Sequence, residues 1–85
     1  MTFRAAICIT LKPSVLDPQG ATVLRALGAL GFDEVADVRV GRYVEVRLAA
    51  PDEATARARV AAMCERLLAN MVIERYEFTL SEVPA

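Results

Sequence analysis

From Phe3 to Lys12 apolar and polar positions alternate. Phe3, Ala5, Ile7, Ile9 and Leu11 fall on one face, and Arg4, Ala6, Cys8, Thr10 and Lys12 on the other. A period of two predicts a half-buried strand. The period then lengthens: Val23, Leu24, Leu27 and Leu30 form one stripe at helical spacing, which predicts a helix over about Pro18 to Leu30. Its ends are punctuated. Asp17-Pro18 supplies a capping carboxylate and a first-turn proline, and Gly31 stands where the left-handed residue after a helix belongs, with Phe32 placed to fold back on Leu27.

Alternation returns between Val35 and Ala49, with Val38, Val40, Val44, Val46 and Leu48 set against Arg39, Tyr43, Glu45 and Arg47. Gly41 interrupts this run and predicts a hairpin. A two-residue turn would place a valine beside a carboxylate, so an odd loop or a bulge with Gly41 at positive φ is the consistent reading. Pro51-Asp52 opens a second helix, capped by Asp52, with Ala56, Val60, Met63, Cys64 and Leu67 on its buried side. Asn70 is the expected left-handed terminator, and a last strand follows from Val72 to Ser81. The order strand, helix, strand, strand, helix, strand predicts an α+β, ferredoxin-like βαββαβ domain: a four-stranded antiparallel sheet with both helices on one face. Residues 1–85 are expected to form this single domain.

Composition sharpens that picture. Hydrophobic residues make up 55% of the 85, more than a domain this small needs inside, so the excess is expected to be covered by another chain. The helix-free face would carry Ala6, Cys8, Thr10, Glu45, Arg47, Arg75 and Glu77, a mixture suited to dimerisation. Ten basic against eleven acidic residues give no electrostatic pull towards nucleic acid or anionic lipid, and the expected partners include neither nucleic acid nor membrane. No signal-peptide pattern or membrane-length apolar run is present, and a cytoplasmic location is expected.

Candidate chemistry is sparse. There is no histidine. Cys8 and Cys64 lie far apart and read as reduced core or interface thiols. Asp17 and Asp52 are accounted for as caps, and no metal-ligand spacing, dinucleotide fingerprint or P-loop appears. The unusual stretch is Thr10 to Gly20, T-L-K-P-S-V-L-D-P-Q-G, because capping leaves Lys12, Gln19 and Gly20 unexplained. A glycine in a first helical turn costs up to about 1 kcal/mol relative to alanine, which points to a close approach at that backbone.

These segments resemble the PurS family, the small subunit of phosphoribosylformylglycinamidine synthase. The likeness runs through Thr10-Leu11-Lys12, Val15-Leu16-Asp17-Pro18-Gln19-Gly20, Leu30-Gly31-Phe32, Val38-Arg39, Gly41-Arg42, Leu67-Leu68-Ala69-Asn70 and Val72-Ile73-Glu74-Arg75-Tyr76. Met71, where a threonine or proline is expected, and an Ala- and Arg-rich second helix depart from the pattern. The resemblance implies a subunit required by an ATP- and glutamine-dependent C–N ligase but without an active site of its own. It implies no cofactor in this chain, with ATP, Mg and glutamine used on the other subunits. The implied assembly is a homodimer or higher oligomer that bridges a large synthetase subunit and a glutaminase subunit in purine biosynthesis and helps to guide ammonia. The partner-interface candidates are Lys12, Asp17, Gln19, Gly20, Arg39, Gly41, Arg42 and Asn70, with Glu74 and Tyr76 placed at a dimer contact. Asp17, Gly41 and Asn70 also have structural readings, as cap, turn and terminator. An ACT-type small-molecule-binding regulatory module is the alternative, although Pro13 and Pro18 remove two of the backbone donors that such a loop would present.

Overall fold

A computed structural model describes residues 1–84. The first alternating run forms β1 (Thr2–Leu11), the central strand of a three-stranded antiparallel sheet ordered β2-β1-β3, where β2 is Arg42–Ala49 and β3 is Glu74–Val83. Register carries the predicted faces across the sheet. Val44, Ile7 and Phe78 form one row, and Val46, Ala5 and Leu80 the next. Helix α2 (Glu53–Met63) lies over these rows and buries Ala56 and Val60 on them, so Phe3, Ala5, Ile7 and Ile9 are at most 3% exposed. Each such large side chain contributes roughly 1.5–3 kcal/mol. Arg57 caps the edge of this core with its guanidinium 5.8 Å from the centre of the Phe78 ring.

The helix starts follow the sequence. Asp17 caps α1 (Pro18–Ala29) by accepting from the Gly20 N–H at 2.9 Å, and Asp52 caps α2 by accepting from the Thr55 N–H at 2.7 Å. At the far end of α1 the Phe32 N–H donates to the Leu27 carbonyl and the Gly31 N–H to the Gly28 carbonyl. Gly31 takes φ of 96°, so this is the Schellman closure the glycine predicts.

Helix α2 ends differently from expectation. A single π-turn, Cys64–Leu68, follows it, closed by the Ala69 N–H on the Cys64 carbonyl at 2.9 Å. The wider turn shifts every later side chain around the axis. Leu67, expected inside, is 83% exposed, while Leu68 packs against the core and Ala69 is buried. Asn70 does not take a left-handed conformation; its side-chain carbonyl accepts from the Val72 N–H and its backbone carbonyl from Ile73 and Glu74, an Asx-type turn that launches β3 two residues later than predicted.

The largest departure lies at Val35–Gly41. This stretch is not a strand here, and the predicted hairpin with a bulge at Gly41 does not form. Among the described residues Gly31 alone has a positive φ. Gly41 instead lies flat against β1, where a Cβ would stand 2.2 Å from the Ile9 carbonyl oxygen. The sheet therefore has three strands rather than four. Only one helix covers its apolar face, since Gly20 is the sole buried residue of α1. The chain spans 50 × 29 × 14 Å, with α1 and residues 35–40 standing off the sheet as an arm.

Candidate partner interface

The arm joins the sheet through a knot of polar contacts centred on Asp17. One carboxylate oxygen caps α1; the other accepts from the Val40 N–H at 2.8 Å. The side chain is 8% exposed. The Gly20 and Val40 N–H groups, in that order, hold its carboxyl below the usual carboxylate range; partial burial opposes this and Arg39 adds to it. Arg39 crosses to the loop before the helix and donates to the carbonyls of Val15 (2.7 Å) and Pro13 (2.8 Å). These charge-assisted bonds fix an otherwise open connection. Between them Gly20 faces the Val38 carbonyl so closely that a Cβ would lie 2.2 Å from its oxygen. The close approach expected at Gly20 thus comes from the chain itself, which makes Gln19, exposed beside it, the cleaner probe of a partner.

A second knot ties β2 to the end of the π-turn. Arg42 donates to the Leu68 carbonyl at 2.8 Å and pairs with Glu74 at 3.0 Å, and the same Glu74 oxygen accepts from the Asn70 N–H at 2.7 Å. The Asn70 N–H first and Arg42 after it keep the Glu74 carboxyl below its ordinary range, against the effect of burial. Glu74, expected at a dimer contact, is therefore the hub of an intrachain network. Lys12 sits beside these knots at the end of β1, its N–H donating to the Ile73 carbonyl at 2.8 Å.

Between the two knots lies a groove of about 330 Å³, lined by Asp17, Gln19, Gly41, Arg42 and Glu74 over a floor that includes Ile9. Residues spread from 17 to 74 in sequence thus meet at one end of the sheet. Gly20 and Asn70 do not line it but each donates a backbone N–H to a carboxylate that does, Asp17 and Glu74, while Arg39 ties down the loop before α1. The arrangement offers donors, a pinned carboxylate and an open guanidinium edge, and it has no nucleophile–base pair. Among the described residues no group of three or more Cys, Asp or Glu side chains is placed to hold a metal ion.

The helix-free face carries a different cluster. Arg4 pairs with Glu45, whose other donor is the Tyr43 hydroxyl at 2.9 Å, and Arg4 then Tyr43 lower the Glu45 carboxyl. Cys8 is exposed beside them, opposite Tyr43 in register, whereas Cys64 is buried and its thiol is pushed up by that burial. Tyr76 points to the other side of the sheet, stacked against Phe78 with ring centres 6.3 Å apart. It is half-buried and packs against the core there.

A family model described as PurS, phosphoribosylformylglycinamidine (FGAM) synthase, matches residues 4–82. The chain belongs to the PurS family. Phosphoribosylformylglycinamidine synthase subunit PurS of Synechocystis is 50% identical over 80 residues, 94% of this chain and 80% of that protein. A crystal structure of PurS from Methanocaldococcus jannaschii, one of the subunits of formylglycinamide ribonucleotide amidotransferase in the purine biosynthetic pathway, matches with a TM-score of 0.83 at 35% identity. That match covers 96% of this chain and 99% of that one. A chain in the structure of PurLQS from Thermotoga maritima matches with a TM-score of 0.87 at 31% identity, covering 95% and 99%. The PurS fold is thus shared across nearly the whole length, arm included.

Proposed function

We propose that this chain serves as the PurS subunit of phosphoribosylformylglycinamidine synthase in purine biosynthesis, acting as a homodimer that bridges the large synthetase subunit and the glutaminase subunit. The observation that carries this reading is the near full-length likeness to a chain of the Thermotoga maritima PurLQS structure, together with a site built for contact rather than chemistry. ATP, magnesium and glutamine are handled on the other subunits, and the assembly works in the cytoplasm. Among the described residues no helix is long and apolar enough to cross a membrane. The ACT-type alternative has no support in the family match, and in the loop before α1 the Val15 N–H is already taken by the Lys12 carbonyl at 2.9 Å while Pro13 and Pro18 have none to offer.

The test is glutamine-dependent formation of formylglycinamidine ribonucleotide by the large and glutaminase subunits of the same organism, with and without this chain. Activity and a larger complex on size exclusion are both expected only when the chain is added; unchanged activity and elution would overturn the proposal. Gln19→Ala refines it. Gln19 is exposed and its side chain makes no hydrogen bond among the described residues, so the variant is expected to melt within about 4 °C of the wild type. Its affinity for the other subunits should fall about five- to tenfold, the range for losing one useful interface side chain. Equal affinity of variant and wild type would remove Gln19 from the interface.

A further inference from the structure

At the end of the sheet where β1 leaves and β3 begins, exposed apolar side chains stand on backbone that the fold holds fixed. We infer that this end is a docking surface for a partner subunit of different sequence, whose facing patch is apolar at its centre and acidic at its rim. The inference rests on the subunit reading above and specifies the surface and the chemistry of one contact.

Two loops meet there, residues 12–16 after β1 and residues 69–73 before β3, joined by the Lys12 N–H on the Ile73 carbonyl at 2.8 Å. Polar side chains are spent on holding their backbones. In the first loop Arg39 donates to the Pro13 and Val15 carbonyls, and the Val15 N–H closes on the Lys12 carbonyl at 2.9 Å. In the second the Asn70 side chain accepts from the Val72 N–H at 3.1 Å, Glu74 accepts from the Asn70 N–H, and Arg42 fastens the Leu68 carbonyl before it. The side chains that these loops display are nevertheless apolar. Leu16 is 79% exposed and Val72 81%, and Met71 and Ile73 are exposed beside Val72. Uncovered apolar side chains gathered in one place mark a contact site. Because the loops are fixed beforehand, covering them costs little conformational freedom.

Charge gives the chemistry of the partner. The chain carries a net charge of −1, yet Lys12, Arg42 and Arg75 all lie at this end. Lys12 is the only lysine of the sequence. Arg42 bonds only through Nη2 and keeps its side chain 54% exposed, and Arg75 is exposed at the start of β3. The carboxylates of the two knots are spent inside the chain: Asp17 is buried on two backbone N–H groups, and Glu74 is held by Arg42 and the Asn70 N–H. Cations are thus left open around an apolar centre. A second copy brought face to face across a two-fold axis would set these cations against one another. A chain of different sequence that places acids opposite them meets both features.

Titrating this chain into the large and glutaminase subunits of the same organism, with glutamine-dependent synthesis as the readout, tests the assignment. Thermal melting and mass by light scattering are measured on each variant alone. Leu16→Ser with Val72→Ser removes apolar tips that water already reaches, Lys12→Gln removes one rim charge and Lys12→Glu reverses it. All are expected to melt within about 4 °C of the wild type and to keep its mass. The double serine variant should need about tenfold more chain for half-maximal activity. Lys12→Glu should need about three- to fivefold more, with Lys12→Gln between it and the wild type, and the difference should close at raised salt. Should the double variant fail to fold, Val72→Ser alone replaces it. Unchanged half-saturation for a folded serine variant would overturn the docking surface. Wild-type behaviour of Lys12→Glu at low salt would overturn the acidic rim. A wild-type chain that supports neither activity nor a larger complex would overturn the subunit reading, and this inference with it.

Discussion

Asp17→Ala is expected to lower the melting temperature by on the order of 10 °C, about twice the loss for Asp52→Ala at the same protein concentration. The two aspartates cap their helices in the same way, each accepting from the N–H three residues on. Asp17 also reaches across the chain, where its other oxygen holds the Val40 N–H at 2.8 Å in a part-buried position. Alanine there leaves two donors unmatched and removes the negative charge facing Arg39. Asp17→Asn keeps one acceptor and is expected to fall between the two. Equal losses for Asp17→Ala and Asp52→Ala would mean that the Val40 contact contributes nothing.

The same contacts set a pH dependence. Because hydrogen bonds lower the Asp17 pKa in the folded chain, its stabilisation is fully present above the unfolded value of about 4. It is lost as pH falls through the depressed folded value. Asp52 and Glu74 are shifted in the same direction, so the wild type alone would not report Asp17. The melting difference between wild type and Asp17→Asn should be constant from about pH 6 to 8 and shrink below about pH 4.

Local signals in the sequence proved sufficient wherever a residue answers to its neighbours. Alternation fixed the faces of β1, β2 and β3, and Asp17, Asp52 and Gly31 marked helix ends through bonds to residues nearby in the chain. What alternation cannot express is where a strand finds its partner. Val35–Val40 reads as a strand, but the bonds that place it run to Asp17 and toward Gly20, far back in the chain. The π-turn was hidden for a related reason: Met63, Cys64, Leu67 and Leu68 supply apolar positions for either an α or a π path, and core packing selects between them. At the site, the motif grouped Gln19, Gly20, Arg39 and Arg42, which do come together at one end of the sheet. Their division of labour was illegible, because Gly20 and Arg39 act on backbone carbonyls that carry no sequence signature. The role of Glu74 inside the chain was illegible because nothing local in the sequence shows that Asn70 and Arg42 are brought to it.

Gly41 is where body and arm meet, and Gly41→Ala is the substitution expected to damage both. A Cβ would sit 2.2 Å from the Ile9 carbonyl oxygen and 2.8 Å from the Thr10 methyl. Neither neighbour can retreat cheaply, since β1 is paired on both sides and Ile9 is 1% exposed in the core. Forcing a methyl into a packed site costs about 1–3 kcal/mol, and a carbonyl held in a ladder puts this case at the upper end, a melting loss of about 10–20 °C. Gly28→Ala is the natural contrast. No atom lies within 4 Å of the Cβ position there, near the end of α1, so helix propensity alone decides and a gain of about 0.5–1 kcal/mol is expected. The same chemical change thus has opposite signs at two glycines of one chain.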